Sequence, residues 1–204
     1  MKKTINKTRG MTYVELIVVL SIFSVISTIV IFNYKEFQAK VDIRNLANDV
    51  ALKIVQAQKN STTGDLSDSI PTTIPPEAWK PSYGLYFDVS TPRNFIYFTD
   101  LNNVSACDDP GCIPPYTLGG EVDEIINITG GHTIPLDGLQ VIGDGCPATV
   151  TNLSITFKRP SSGAIISSNP PLGCTVNYVS ITLASDYVFN AKIRVYPSGR
   201  IQFD

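Results

Sequence analysis

One apolar run dominates the hydrophobic pattern near the start of the chain. Leu16 to Phe32 contains no charged residue, and thirteen of these seventeen positions are Leu, Ile, Val or Phe. Counted from Met11, the apolar stretch has 22 residues. As an α-helix it would be about 33 Å long, which matches the hydrocarbon core of a bilayer. The pattern therefore predicts a transmembrane helix over residues 13–32.

The pattern becomes amphipathic after Phe32. Apolar residues recur at helical spacing with polar or basic residues between them, and neither proline nor glycine interrupts the chain from Met11 to Gly64. We expect one helix from about Thr12 to Asn60, whose second half packs against the rest of the protein. The positions expected on its apolar stripe are Phe37, Val41, Ala47, Val50, Ala51, Ile54 and Val55.

Short strands and turns account for the remainder of the chain. Strands are predicted at residues 83–88, 94–100, 123–128, 139–143, 153–158, 178–184 and 189–196, followed by a turn and a closing strand. The expected fold class is α+β: a long N-terminal helix, transmembrane in its first half, packed against a C-terminal antiparallel β-sheet domain. The expected segments are a leader at residues 1–10, a helix at 11–60, a four-proline connector at 61–82 and a β-rich head at 83–204.

The few charges are unevenly distributed around the apolar run. Four basic residues and no acid precede it, namely Lys2, Lys3, Lys7 and Arg9. The positive-inside rule predicts a single-pass protein of the cytoplasmic membrane with its C-terminal domain outside. The net charge of −2 argues against nucleic acid as the main partner, because phosphate binding needs a basic surface.

Gly10 and Glu15 separate three explanations of this N-terminal region. A secretory signal peptide needs a small-residue cleavage site, and the sequence FNYKEFQAK after the run has no A-x-A pattern. A plain signal anchor explains the apolar run and its basic flank, but neither Gly10 nor Glu15.

Gly10, Met11 and the following residues up to Glu15, before a long apolar run, resemble the leader junction of type IV pilins and type II secretion pseudopilins. The resemblance implies cleavage after Gly10 by prepilin peptidase, N-methylation of Met11, and a role in assembly for Glu15. Met11 departs from the commoner phenylalanine of the family. Phe32 occupies a position where many major pilins have proline.

The resemblance also implies a function and a set of partners. The chain would be a subunit of a type IV pilus or type II secretion pseudopilus, contacting other pilin or pseudopilin subunits, the prepilin peptidase/methyltransferase, an inner-membrane assembly platform and the lipid bilayer. The strand-rich tail ending in SGRIQFD resembles H-type minor pseudopilins and FimT-like minor pilins, which favours a minor component. The alternatives are a major pilin and an uncleaved, signal-anchored extracytoplasmic binding module.

Electrostatics gives Glu15 a reason to lie at the edge of an apolar helix. A charge inside a bilayer is costly and usually has a partner. Cleavage after Gly10 would create one, the free α-amino group of Met11, which could meet Glu15 of a neighbouring subunit. A unit-charge pair at ~4 Å is worth about 4 kcal/mol at an effective dielectric constant of 20, before desolvation.

Small polar residues mark one side of the predicted transmembrane helix. Ser21, Ser24 and Thr28 share a helix face by their spacing. In lipid such a stripe permits close approach of a second helix. Ordinary membrane-helix composition explains the same residues.

All four cysteines lie in the region expected outside the cytoplasm, where disulfides persist. Four cysteines allow three pairings. We favour Cys107 with Cys112 and Cys146 with Cys174. Zinc binding is the alternative, but it requires clustered C-x-x-C pairs, which CDDPGC lacks.

Acids and amides in DLNNVSACDD suggest one metal hypothesis. Asp100, Asn102, Asp108 and Asp109 could gather around calcium, but the segment lacks the central glycine and closing glutamate of an EF-hand loop. A solvated acidic turn is the favoured interpretation, and no cofactor is expected.

The sequence offers little for catalysis. Its single histidine, His132, lies in the glycine-rich TGGHTIP and is expected at the surface. No G-x-S-x-G elbow, phosphate-binding glycine loop or H-E-x-x-H motif occurs. We therefore expect that the protein is not an enzyme.

Overall fold

A single long helix precedes all the strands. The computed structural model describes residues 10–64, 81–100, 122–168, 171–185 and 189–203. Helix α1 spans Tyr13–Thr63, and the chain forms two compact units, Met1–Ala39 and Lys40–Asp204. The α+β class predicted from the sequence is confirmed.

Local hydrogen bonds explain where α1 begins and ends. The Thr12 hydroxyl accepts a hydrogen bond from the amide of Glu15 at 3.3 Å, which is the geometry of an N-cap. At the other end, Gly64 adopts a φ of 68° and its amide donates to the Asn60 carbonyl at 3.0 Å. Glycine adopts this left-handed conformation without a steric penalty. The helix therefore ends three residues later than predicted.

Nine strands form two antiparallel sheets in the unit Lys40–Asp204. Sheet A has the order β3-β2-β1-β5-β6, and sheet B has the order β4-β7-β8-β9. The strands are β1 Ser82–Asp88, β2 Asn94–Asp100, β3 Val122–Asn127, β4 Leu139–Asp144, β5 Asn152–Phe157, β6 Ala164–Ser167, β7 Thr175–Ala184, β8 Asn190–Val195 and β9 Ile201–Phe203.

Eight of these strands coincide with the predicted ones within a few residues, and β6 was missed. Its four residues, AIIS, lie between two turn-rich segments and show no alternation of apolar and polar side chains. The strand exists because it pairs with β5, Phe157 opposite Ala164 and Ile155 opposite Ile166. Tertiary pairing therefore supplied a strand that local pattern did not indicate.

One face of α1 completes the hydrophobic core of the head. Spacings of four and three residues bring five side chains to this face, all of them buried, namely Ile43, Ala47, Val50, Ile54 and Ala57. The predictions for Ala47, Val50, Ala51 and Ile54 are confirmed, since all four are buried.

The predicted stripe was too wide at two positions. Val55 is exposed because each residue advances about 100° around a helix, which moves it off the face of Ile54. Phe37 is also exposed and belongs to the unit Met1–Ala39.

Polar contacts join α1 to sheet A around this core. Lys53 forms an ion pair with Glu124 of β3 at 2.6 Å, and its ammonium lies 5.9 Å from the centre of the Tyr97 ring. The Asn60 amide donates to the Tyr97 hydroxyl at 3.0 Å. These contacts fix the position of the helix on the sheet, whereas apolar burial supplies most of the stabilisation.

A disulfide between Cys146 and Cys174 joins the segment after β4 to the segment before β7. Their Cα atoms are 5.1 Å apart, which is ordinary disulfide geometry. The favoured pairing is confirmed for this bond. Cys107 and Cys112 lie outside the described residues, as do residues 1–9 of the leader and residues 65–80 of the connector.

Removing the disulfide should destabilise the head. The bond spans a sequence separation of 28 residues, for which loop-closure entropy gives about 3.5 kcal/mol. We expect Cys146→Ser/Cys174→Ser to lose roughly that free energy of unfolding in urea titrations of the full chain. Non-reducing peptide mapping of the wild-type protein is the control, and a bond from Cys146 to another cysteine would contradict the assignment.

A matched pair of helix variants tests which side of α1 forms the core. Ile54 is 0% exposed and Leu52 is 65% exposed. We expect Ile54→Ala to lower the free energy of unfolding by about 2–4 kcal/mol because it leaves a cavity. Leu52→Ala should change it by less than about 0.5 kcal/mol. Equal losses in the same urea titrations would show that the helix is rotated from this position.

Candidate functional site

The first candidate site is the beginning of α1, where the predicted processing and assembly residues lie. Gly10 and Met11 precede the helix and are exposed, and Glu15 is an exposed acid in its first turn. Thr12 and Glu15 have the spacing of a capping box, and the bond from the Glu15 amide to the Thr12 hydroxyl forms one half of it. A carboxylate in this turn also interacts favourably with the helix dipole.

The position of Glu15 at the helix start gives its carboxylate a local role that the sequence analysis missed, namely a favourable interaction with the helix dipole. The signal was present, because a threonine three residues before a glutamate and next to an apolar run is the sequence pattern of a helix start. Glu15 therefore has two separable properties: a shape and polarity that suit the third position of a helix, and a negative charge. Glutamine would keep the first and remove the second.

Apolar side chains cover α1 on all sides after Glu15. Each residue from Tyr13 to Ile31 is exposed except Ser27, which is half-buried. This is one helix long and apolar enough to cross a membrane. A helix that is apolar on every side requires an apolar environment.

The polar stripe on this helix satisfies part of its own hydrogen bonding. The Ser21 hydroxyl donates to the Val18 carbonyl at 2.8 Å, and the Thr28 hydroxyl donates to the Ser24 carbonyl at 2.9 Å. Both donors are thus bonded within the helix, so that lipid need not solvate them. The stripe therefore remains compatible with a membrane span and with close helix approach.

The second candidate site is a pocket in the unit Lys40–Asp204, between α1 and the loop from β3 to β4. Its volume is about 340 Å³. Its lining combines two carboxylates, an amide, a leucine, a glycine-containing turn and the single histidine, namely Asp42, Asn45, Leu46, Asp49, Thr129, Gly130 and His132. Asn45, Leu46 and Asp49 lie three, four and seven positions after Asp42, which places them on the same side of α1 as Asp42.

His132 is buried, and the expectation that it lies at the surface was wrong. It is 4% exposed. Gly130 and Gly131 both have positive φ, 76° and 77°, and turn the chain so that the ring packs against Gly130. The positive φ at position 130 favours glycine, and a Cβ there would lie only 3.2 Å from Nε2 of His132.

Backbone pairing fixes the histidine loop against sheet B. Thr133 and Ala184 exchange two backbone hydrogen bonds of 2.9 and 2.8 Å, and the Ile134 amide donates to the Pro92 carbonyl at 2.9 Å. The imidazole is consequently held in place by its neighbours in sequence. Neither ring nitrogen has a hydrogen-bond partner among the described residues. Burying a polar group without a hydrogen-bond partner lowers the stability of the folded state by about 1–3 kcal/mol. Because such groups are rare in folded proteins, His132 is a candidate functional residue.

The proposed calcium ligands are mostly outside the described residues. Asn102, Asp108 and Asp109 lie there, whereas Asp100 ends β2 and is 0% exposed. The expectation of a solvated acidic turn is therefore wrong for Asp100, because that residue belongs to a buried strand end. Within the described ranges, no three His, Cys, Asp or Glu side chains are placed to hold a metal ion.

Comparisons with protein-family models, with curated proteins and with solved structures find no match for this chain.

Proposed function

We propose that the protein is a pilin-like structural subunit that is cleaved after Gly10 and methylated on Met11. It is then assembled through α1 into a type IV pilus or type II secretion pseudopilus, as a minor component. The observation that carries the proposal is the order of features at the N-terminus: a basic leader, Gly10, an acid at Glu15, and a helix with apolar side chains on all sides.

The membrane and the filament offer the same kind of environment to this helix. Before assembly, lipid covers the apolar side chains of residues 16–32, and insertion is favoured by roughly 0.3–0.6 kcal/mol for each Leu, Ile, Val or Phe. After assembly, helices of neighbouring subunits replace the lipid. The transfer keeps the apolar surface away from water throughout. The subunit can therefore leave the bilayer without the free-energy cost of hydrating its apolar helix.

Charge pairing gives each incoming subunit an axial register. The new α-amino group at Met11 and the Glu15 carboxylate carry opposite charges, and in an apolar filament core they are each other's available partner. The basic leader would place these residues near the cytoplasmic face and the β-rich head outside the cytoplasmic membrane. The partners in this scheme are neighbouring pilin or pseudopilin subunits, the processing peptidase and the inner-membrane assembly platform.

An uncleaved, membrane-anchored binding module is the second candidate. The position of Glu15 in the first turn of α1 favours it, because a carboxylate there interacts favourably with the helix dipole without any filament. The pocket around His132 would then be the functional part of the protein. The two candidates differ in the N-terminus of the native chain.

The mass of the mature protein tests processing. We expect the chain purified from its native membrane to begin at Met11 and to carry one added methyl group. Replacement of Gly10 by leucine should retain the leader, because the peptidase would no longer find the small residue before the cleaved bond. An intact wild-type leader by intact-mass spectrometry would rule out the pilin-like role and support the anchored module.

Glu15→Gln tests the charge separately from helix capping. We expect normal leader removal but at least a tenfold decrease of the subunit in sheared filaments, since loss of a pair worth about 4 kcal/mol weakens docking. Glu36→Gln is the matched control, because Glu36 is also an exposed acid on α1. Filament content equal to wild type in Glu15→Gln would show that the carboxylate acts only locally.

A further inference from the structure

The pocket lined by Asp42, Asp49 and His132 is a binding site that the α1 assembly mechanism does not use. We propose that it binds the cationic end of a lysine or arginine side chain from a neighbouring subunit. The identity of that partner rests on the proposed filament role. The cation site itself rests only on residues of the unit Lys40–Asp204.

Two carboxylates set the sign of the charge that the pocket accepts. Asp42 and Asp49 are two helical turns apart on α1, with the Asn45 amide between them, and all three line the pocket. An anion would be repelled by both acids, whereas a cation would be attracted by both. The side-chain oxygen of Asn45 adds a further acceptor.

His132 supplies evidence for a ligand in this pocket that is independent of the two carboxylates. Its ring is more than nine-tenths buried and lines the pocket, and neither nitrogen has a hydrogen-bond partner in the described part of the chain. A neutral imidazole has one nitrogen that accepts a hydrogen bond. An ammonium or guanidinium group carries only donors, so its N–H can satisfy this nitrogen while its charge meets the carboxylates.

The size and walls of the pocket favour a side-chain end over a larger ligand. Its volume of about 340 Å³ is at the lower limit for small-molecule pockets. Leu46 gives the lining an apolar part, against which the methylene stem of a lysine or arginine can pack. A divalent metal fits less well, because the described residues hold no group of three or more ligating side chains.

The single histidine makes a direct test possible. In the full chain, solubilised in detergent and labelled with ¹⁵N-histidine, the two ring nitrogens of His132 are the only labelled side-chain nitrogens. Butylguanidine is the probe at fixed pH, and butylurea, which has the same shape without the charge, is its control. We expect saturable shifts of the His132 signals with butylguanidine and none with butylurea.

Variants identify the carboxylate contribution. Asp49→Asn should weaken butylguanidine binding about tenfold or more while the melting temperature stays that of the wild-type protein. Asp144→Asn, which removes an exposed acid at the end of β4, should bind as the wild-type protein does. No saturable shift, an equal response to butylurea, or a response only to Zn²⁺ or Ca²⁺ would overturn the cation site.

Filament content separates this proposal from the assembly role of α1. We expect Asp49→Asn to be processed normally but to be depleted several-fold in sheared filaments. The control Asp144→Asn should be present in filaments at the wild-type level. If butylguanidine binds while filament content is unchanged, the ligand is not a neighbouring subunit and the partner assignment fails. If the leader is retained in the wild-type protein, the filament role fails, whereas the response of His132 to butylguanidine still decides the cation site.

Discussion

The rest of this protein depends on one constraint, the free-energy cost of exposing its apolar surface to water. From Leu16 to Ile31 the helix exposes apolar side chains in all directions, and only lipid or other apolar helices can surround it at a low free-energy cost. The helical backbone satisfies its own hydrogen bonds, and the Ser21 and Thr28 hydroxyls donate to carbonyls within the helix. The backbone and these two hydroxyls therefore need no hydrogen bonds from an apolar environment.

The second half of α1 meets the same constraint in a different way. Its apolar residues occupy one face, and sheets A and B cover that face to form a single core that includes Val50 and Ile54. Polar contacts such as Lys53 with Glu124 then define the position of helix and sheet. The Cys146–Cys174 bond adds a covalent link at one end of the β4–β7 pair, where the strands leave sheet B.

Electrostatics distinguishes the two candidate sites. Glu15 is an exposed acid in the first turn of a helix, and the proposed cleavage after Gly10 would create an amine of opposite charge near it. In the second site, the two ring nitrogens of the buried His132 have no hydrogen-bond partner among the described residues, and two carboxylates line the same pocket.

The sequence by itself determined the features that depend on local pattern. Apolar run length, helical spacing and strand alternation act over a few residues, and they located α1 and eight of the nine strands. Only the tertiary structure decided the existence of β6 and the burial of Asp100 and His132, and it confirmed the favoured Cys146–Cys174 bond among the pairings that the sequence allowed. These depend on which distant segments lie side by side: β6 needs β5, and the histidine pocket needs α1 beside a loop more than 80 residues away. Local sequence cannot specify such neighbours, because the packing of the whole head sets them.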